Sequence, residues 1–404
     1  MENKKTIVMG VTGGIAAFKA AQLTSNFIKK GYDVEVIMTK HATEFIAPLT
    51  FESLTKHNVM VSTFEKVQER SVKHISIAQR ADAFVVVPAT ANVIAKIAHG
   101  LADDMLTTTF LAASCPKIIC PAMNTGMYEN IVTQQNLDLL RSYGYTLVEP
   151  ESGFLACGDM GKGRLADISI IEDAVEMTLV KEKPLLGKQV LISAGPTQEA
   201  LDPVRFLTNH SSGKMGVALA WWAKAMGADV TLVHGPIHER IPYGIKSIPI
   251  KSACEMFSVF QEFSQDADII IKAAAVGDYR PAQTANDKIK KNEEQFALPL
   301  MKNPDILSWL GEHKKTNQVL CGFAMETQNL LQNAEKKRKE KHCDLLVANN
   351  LLTKGAGFGN DTNVITILSN QEIKEYPCMS KLEASDHIWQ HILAIMEQKG
   401  ESLC

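Results

Sequence analysis

The chain has 404 residues, 46% hydrophobic and 22% charged; these ordinary globular values exclude a disordered, collagen-like or coiled-coil chain. At about 150 residues per domain the length predicts two or three domains, each able to bury its own core. With 42 Lys and Arg against 45 Asp and Glu the formal charge is −3 and aromatics are only 6%, so there is neither a basic footprint for nucleic acid nor a set of base-stacking platforms.

Lys4 and Lys5 precede an apolar run, but Gly10, Gly13 and Gly14 interrupt it and no cleavage site follows. It is therefore not read as an export signal. No apolar run reaches about 18 residues, so no membrane span is expected. Eight cysteines (115, 120, 157, 254, 321, 343, 378 and 404) lack C-x-x-C spacing. That excludes a zinc ribbon or thioredoxin-type site, and the thiols read as those of a cytoplasmic protein.

In chain order, Thr6–Val11 is a β-branched strand, Thr12–Gly14 a turn and Ile15–Lys30 a helix stopped by Gly31. Val34–Met38 is the next strand. Ala83–Val87 and Ile118–Cys120 are apolar runs closed by prolines, as suits strands buried on both faces of a parallel sheet. Helices are predicted over Met127–Arg141 and Ser169–Val180, with a glycine-rich loop, read as a flap, at Gly153–Arg164. The charged, Pro- and Gly-containing stretch Lys181–Lys188 marks a domain boundary. Beyond it the pattern restarts, with a strand at Val190–Ser193, a turn at Ala194–Thr197, a helix at Gly213–Met226 and a strand at Thr231–Val233. Both halves share a strand, loop, helix, Gly-x-Asp-Val, strand layout. Asp268–Ala275, Gln318–Gly322 and Asp344–Ala348 are further strands. Thr327–Lys341 is a helix whose charge run, Glu335–His342, reads from composition as a solvated face. Val364–Leu368 is the expected last strand and Ser380–Gln398 the closing helix. The fold class is α/β, two Rossmann-like domains over 1–185 and 186–404.

Gly10-Val-Thr-Gly-Gly-Ile-Ala-Ala follows a strand and opens a helix. Glycines there let backbone N–H groups approach a phosphate at the helix N-terminus. The spacing is not that of a dinucleotide fingerprint, which argues against an NAD dehydrogenase, and a mononucleotide such as FMN fits better. No G-x-x-x-x-G-K-[ST] exists, which excludes a P-loop. Pro88-Ala-Thr-Ala-Asn92 and Pro121-Ala-Met-Asn124 sit at strand exits, where open α/β sheets bind ligands. His74 opens a helix, and Cys157 rides on the glycine-rich segment. In the second half, Asp202-Pro-Val-Arg205 precedes Thr208-Asn-His-Ser-Ser-Gly-Lys-Met-Gly216, a plausible anion or acyl-phosphate site before a helix. Lys288-Ile-Lys-Lys291 adds a cationic cluster that also reads as a surface loop.

The first set of motifs, with Ala156-Cys-Gly, resembles the flavin-containing cysteine decarboxylases. The second set, with Ala274-Ala-Val-Gly-Asp-Tyr-Arg280 and Lys302-Asn-Pro-Asp305, resembles phosphopantothenate–cysteine ligase. Both in this order resemble the family of bacterial bifunctional coenzyme A biosynthesis proteins over nearly the whole chain. Asp103 stands where that family usually has Asn, and Gly277 where it usually has Ala. The resemblance implies a flavodoxin-like N-terminal fold with FMN lined by Gly13, Gly14, Thr39, Pro88, Ala89, Thr90 and Thr107, and decarboxylation by His74, Asn124 and Cys157. It implies ligation by Arg205, Asn209 and Lys288. It further implies CTP contacts by Ala273, Asp278, Lys288, Pro304, Asp305, Ile306, Leu307, Phe323, Lys337 and Lys341, so that two lysines of the charge run face the nucleotide rather than solvent. Implied too are Mg²⁺ with unassigned ligands, the substrates 4′-phosphopantothenate, cysteine and CTP, and a homo-oligomer, a dodecamer built from decarboxylase trimers and ligase dimers. A regulatory flavoprotein of the same fold is the competing reading; a ligase half argues against it.

Overall fold

The structure, a computed structural model, describes residues 4–63, 73–154, 158, 160–290, 297–326, 330–350, 357 and 359–400. The chain divides into two compact units, Met1–Lys181 and Glu182–Cys404. That division falls at the start of the Lys181–Lys188 stretch, four residues before the 185/186 limit drawn from sequence. Leu185 belongs with the second unit: its side chain is fully buried, and its N–H donates to the Met226 carbonyl. The Lys183 ammonium likewise donates to the Ala225 carbonyl at 2.6 Å.

In the first unit, β1 (Thr6–Val11), α1 (Ala17–Lys29), β2 (Asp33–Met38), α2 (Pro48–Thr55), α3 (Lys73–Arg80), β3 (Ala83–Ala89), α4 (Ala91–Ala98), α5 (Met105–Ala112), β4 (Lys117–Pro121), α6 (Thr125–Tyr128), α7 (Ile131–Ser142), β5 (Thr146–Leu147), β6 (Glu151–Phe154), β7 (Met160–Arg164) and α8 (Ile168–Leu179) follow in order. Strands β2-β1-β3-β4-β5 form one parallel sheet. This is the flavodoxin-like order, with its switch point between β1 and β3. All residues of β1 and β3 are buried, which is why they read as unbroken apolar runs rather than alternating ones. Helix α1 buries Ala17, Ala20, Leu23, Thr24 and Phe27, the three-and-four spacing of one helical face.

Three expectations are corrected here. Pro121 closes β4 as expected, but Pro88 lies inside β3 rather than closing it, with a register shift between Val86 and Ala89 that absorbs the missing donor. Met127–Arg141 is two helices, because the Asn130 side chain accepts from the Val132 N–H and starts α7 anew. Gly153–Arg164 is not a plain loop, since β6 and β7 pair antiparallel.

The second unit holds β8 (Gln189–Ala194), β9 (Gln198–Ala200), β10 (Phe206–Thr208), α9 (Lys214–Ala225), β11 (Asp229–His234), β12 (Lys246–Pro249), α10 (Ala253–Phe263), β13 (Ile269–Lys272), β14 (Tyr279–Pro281), β15 (Leu300–Lys302), α11 (Ile306–His313), β16 (Val319–Glu326), α12 (Leu330–Glu340), β17 (Leu345–Asn350), β18 (Thr362–Leu368), β19 (Ile373–Ser380) and α13 (Lys381–Gln398). Its main sheet runs β12-β11-β8-β13-β16-β17-β18-β19, parallel through β17 and antiparallel thereafter. The six parallel strands have the doubly wound Rossmann order, with the switch point between β8 and β13.

Strand β13 ends at Lys272, earlier than expected, and beyond it Ala273–Val276 keeps only an isolated bridge from Ala275 to Pro196. The last strand is β19, not Val364–Leu368; its burial is low, so it carries no apolar run to betray it. Helix α13 starts at a Ser380–Glu383 capping box and buries Trp389, whose indole N–H donates to the Leu219 carbonyl at 3.0 Å. Truncating Trp389 to alanine would cost about 3–5 kcal/mol.

Candidate active sites

In the first unit the chain leaves β1 through Thr12. Its buried hydroxyl donates to the Pro88 carbonyl at 2.6 Å and accepts from the Thr90 N–H at 3.1 Å. One side chain thus ties together the two strand ends that flank the switch point. Thr90 in turn caps α4 by accepting from the Val93 N–H. At Gly13 a Cβ would lie 2.5 Å from the His41 Cβ, whereas at Gly14 it would meet only the Thr90 methyl at 3.9 Å. Gly13 is therefore needed for packing, and Gly14 leaves the cavity side of the turn open.

A cavity of about 600 Å³ opens beside this turn. Gly13, Gly14, Pro88, Thr90 and Asn124 are on its wall, with Phe18, Met123, Met127, Phe154 and Leu165 supplying apolar surface and Lys19 and Arg164 the charge. The hairpin closes one side. The Met123 N–H donates to the Gly163 carbonyl at 3.0 Å, and Gly163, at φ +145, has no room for a Cβ against the Met123 carbonyl. A volume of this size, mostly apolar, beside the N-terminus of α1, suits one aromatic ring system carrying one phosphate.

Other residues assigned from sequence stand off this wall. Ala89 is buried in β3. Thr39 is buried and donates its N–H to the Val11 carbonyl. Thr107 completes a capping box with Asp104 at the start of α5. His74 lies on α3, partly buried, and is not among the wall residues. Cys157 lies outside the described residues. Asp103 is exposed and pairs with Lys96 at 2.7 Å, which holds its carboxyl below the ordinary range.

In the second unit the chain enters α9 through Ser211-Ser-Gly213, with Gly213 as N-cap at φ +84. A Cβ at Gly216 would lie 2.6 Å from that of Ala194, so glycine lets α9 approach β8 closely. Two cavities, of about 460 and 600 Å³, adjoin at the carboxyl ends of β8, β13 and β16. Ala274, Val276, Asp278, Phe323 and Lys337 belong to both walls. Asn209 and Ala273 line the first, beside Ser211–Gly216. Pro304–Leu307 and Lys341 line the second.

The Asn209 amide donates to the Ala275 carbonyl at 3.0 Å, and the Ala274 N–H donates to Ser193 Oγ at 3.0 Å. The Ala273–Val276 segment is thus anchored from both sides. Asn303 Nδ2 donates to the Gly277 carbonyl at 2.7 Å, placing the Pro304–Leu307 turn against it.

The walls are rich in lysine. Lys341 pairs with Asp305 at 2.7 Å, and Lys337 donates to the Phe323 carbonyl at 3.3 Å. Burial works to raise the Asp305 carboxyl, but Lys341, the Ser308 N–H and Lys337 outweigh it and hold it low. The charge run on α12 is thus only partly a solvated face. Lys336 and Lys339 are exposed, Arg338 is buried against Glu335 at 3.0 Å, and Lys337 and Lys341 reach the cleft. Lys214 pairs with Asp361 at 2.5 Å.

Arg205 and Lys288 are not on the cleft walls. Arg205 is forked onto the buried Asp202 carboxylate at 2.9 and 2.5 Å and donates to the Ile289 carbonyl at 2.9 Å. The guanidinium and the N–H groups of Val204, Arg205 and Ile289 hold the Asp202 carboxyl well below the usual range. This clamp fixes the segment that carries Lys288, itself exposed.

Sequence reasoning missed Lys272. It is 6% exposed, at the end of β13. Burial, with Lys337 nearby and against the pull of Asp305, lowers its amine to about 7. A lysine closing the apolar run Ile269–Ile271 was the available signal, because a parallel strand buried on both faces has no ordinary place for it. Asn349 and Asn363, also on the first cavity wall, carried no such signal.

Two doubly wound units, each with a cleft at its switch point, define a two-domain nucleotide-binding α/β protein. Residues 1–180 match the Flavoprotein family, and residues 185–396 match the DNA/pantothenate metabolism flavoprotein C-terminal domain. The chain is 46% identical over 405 residues to the coenzyme A biosynthesis bifunctional protein CoaBC of Bacillus subtilis (strain 168), covering 99% of this chain and all of that one. It is 41% identical to that of Vibrio vulnificus (strain CMCP6), covering 97% of this chain and 98% of that one. Among solved structures, the C-terminal domain of a CoaBC protein covers 54% of this chain and all of its own, at 38% identity and a TM-score of 0.47. An FMN-dependent cysteine decarboxylase, SpaF, covers 44% of this chain and 96% of its own, at 33% identity and a TM-score of 0.39. The chain belongs to the family of bifunctional coenzyme A biosynthesis proteins, which join a flavoprotein decarboxylase to a phosphopantothenate–cysteine ligase. No described helix is long and apolar enough to cross a membrane.

Proposed function

We propose that the second unit joins cysteine to 4′-phosphopantothenate at the expense of CTP, and that the first unit decarboxylates the product to 4′-phosphopantetheine with FMN. The observation that carries this reading is the contrast between the clefts. One is apolar with a single-phosphate cradle at Gly13-Gly14, and the other is lined by lysines beside a Ser-Ser-Gly helix start. The fold units at 1–181 and 182–404 would each carry one activity.

In the ligase cleft the pantothenate carboxylate attacks the α-phosphorus of CTP, pyrophosphate leaves and an acyl-cytidylate forms. The amine of cysteine then attacks the activated carbonyl and releases CMP. Phosphates at Ser211–Gly213 meet the N-terminus of α9, with Mg²⁺ arriving as their counter-ion. Asn209, held beside the cleft by its bond to the Ala275 carbonyl, donates to the acyl oxygen. Asp278 takes the ribose hydroxyls, and Phe323, Pro304–Leu307, Lys337 and Lys341 hold the base end. Arg205 acts by positioning, and Lys288 is carried on the segment it clamps.

In the decarboxylase cleft Gly13, Gly14, Pro88 and Thr90 would hold the FMN. When bound, FMN would take two electrons from the substrate thiol, which makes loss of CO₂ feasible, and would return them to the enethiol. Asn124 holds the departing carboxylate, and Cys157 returns a proton to the enethiol. The parts of His74, Thr39, Ala89 and Thr107 rest on the resemblance alone. A cytoplasmic homo-oligomer, a dodecamer of decarboxylase trimers and ligase dimers, is the assembly this reading expects.

The test mixes 4′-phosphopantothenate, cysteine and Mg²⁺ with either CTP or ATP and follows pyrophosphate, CO₂ and 4′-phosphopantetheine together. CTP should support all three. Pyrophosphate without CO₂ would remove the decarboxylase, and equal rates with ATP would remove the CTP assignment.

A further inference from the structure

We propose that Lys272 is a specificity-determining residue of the nucleotide site, its amine donating a hydrogen bond to the ring carbonyl oxygen of a pyrimidine base. The inference rests on the CTP reading above and names the contact that selects the base.

Lys272 closes β13 at the switch point and lines the second cavity while only 6% exposed. Among the described residues no hydrogen-bond acceptor engages its amine. The Asp305 carboxylate that attracts it is already bound to Lys341 at 2.7 Å. Lys337 repels it, and the Phe260 ring lies 5.9 Å from Nζ. The lysine is 6% exposed and that opening faces the second cavity, so a ligand acceptor there can engage an amine that finds no acceptor in the protein.

The position selects which part of a nucleotide this is. The Ser211–Gly213 helix start, suited to phosphates, is on the first cavity. Lys272 is absent from that wall and belongs to the second, where Ile306, Leu307 and Phe323 form an apolar, base-sized end. An amine lowered to about 7 is not bound to stay charged, so a neutral acceptor suffices. Cytosine offers a ring carbonyl oxygen beside its glycosidic bond, whereas adenine has no carbonyl oxygen. A buried donor therefore favours the first and is left unpaired by the second.

Ligation rates with CTP, UTP and ATP, measured on the full chain and on Lys272→Met and Lys272→Gln, test this. The wild type should prefer CTP. Lys272→Met should lower the CTP/ATP ratio of kcat/KM by roughly 10–100-fold, mainly through KM, with UTP falling alongside CTP. Lys272→Gln, which keeps an N–H donor, should restore part of the ratio. 2-Thiocytidine triphosphate, a weak acceptor at that position, should be poor with the unaltered enzyme and no poorer with Lys272→Met. This comparison needs no variant for its first half, so an unfolded variant does not remove the test. A wild type preferring ATP overturns the CTP reading and the inference with it. A CTP-preferring wild type that uses the thio analogue as well as CTP, or a Lys272→Met enzyme with an unchanged ratio, overturns the inference alone.

Discussion

Both units place a cleft where neighbouring parallel strands send their connections to opposite faces, between β1 and β3 in the first and between β8 and β13 in the second. The scaffolds agree; the strand ends do not. In the first unit the ends are Thr12 and the run Pro88–Thr90, knitted by the Thr12 hydroxyl into a small, rigid, mostly apolar wall. In the second, β13 stops at a lysine, and the following Ala273–Val276 is held by the Asn209 amide and the Ser193 hydroxyl while four lysines (272, 302, 337 and 341) surround the cavity. A resident ring with one phosphate suits the first wall. A triphosphate that must be gripped, cleaved and released suits the second. The difference teaches that the topology chooses where the site lies, and a few residues at the strand ends choose its chemistry.

Changing the ends should separate the two activities. The largest effect is expected from Asn209→Asp. It replaces an oriented donor with a negative charge facing an acyl phosphate, and ligation should fall about 10²–10³-fold while decarboxylation of supplied 4′-phosphopantothenoylcysteine is unchanged. Steady-state pyrophosphate release would show it, and a normal ligation rate would take Asn209 out of the site. Next is Gly13→Ala. Its Cβ would crowd His41 at 2.5 Å, a strain of about 1–3 kcal/mol. Purified protein should carry less flavin, read as visible absorbance per chain, and ligate normally. Full flavin content would mean the turn has slack that this account denies.

A smaller effect concerns stability. The Lys272 amine is lowered to about 7 by burial, below its ordinary value in the unfolded chain. Between those two values the unfolded state binds the extra proton, so stability rises with pH there. Below about 7 the folded chain must bury the ammonium in full. Lys272→Met should therefore melt above the wild type at pH 6, and the gap should close toward pH 10. A gap constant with pH would mean the amine is not desolvated. The smallest change expected is at Asp103. Its carboxylate is exposed and, among the described residues, paired with Lys96, so Asp103→Asn should leave the melting temperature within about two degrees, because such surface pairs contribute little.

The central parallel strands were legible because they are buried on both faces and read as apolar runs, as at Thr6–Val11 and Ala83–Ala89, whereas the short β5 and the mostly exposed β12 carry no such run. The turn glycines and the Ser-Ser-Gly helix start were legible because their chemistry is local. What escaped was non-local. Strand β19 is half polar, and only its pairing with β18 makes it a strand. Arg205 looked like a site residue because nothing in its own segment shows that Asp202 and Ile289 occupy it. Lys272 was passed over because a lysine in a strand is informative only once that strand is known to be central.

The account's central claim is that two independent sites share the chain, and mixing two crippled enzymes tests it most directly. Asn209→Asp should make no CO₂ from 4′-phosphopantothenate, cysteine and CTP, because it forms no substrate for its intact first unit. Gly13→Ala, freed of flavin, should make pyrophosphate but no CO₂. Combined in equal amounts, the two should release CO₂ and 4′-phosphopantetheine from the same mixture, at a rate set by the Gly13→Ala ligase. A mixture that releases pyrophosphate but never CO₂ would contradict the claim.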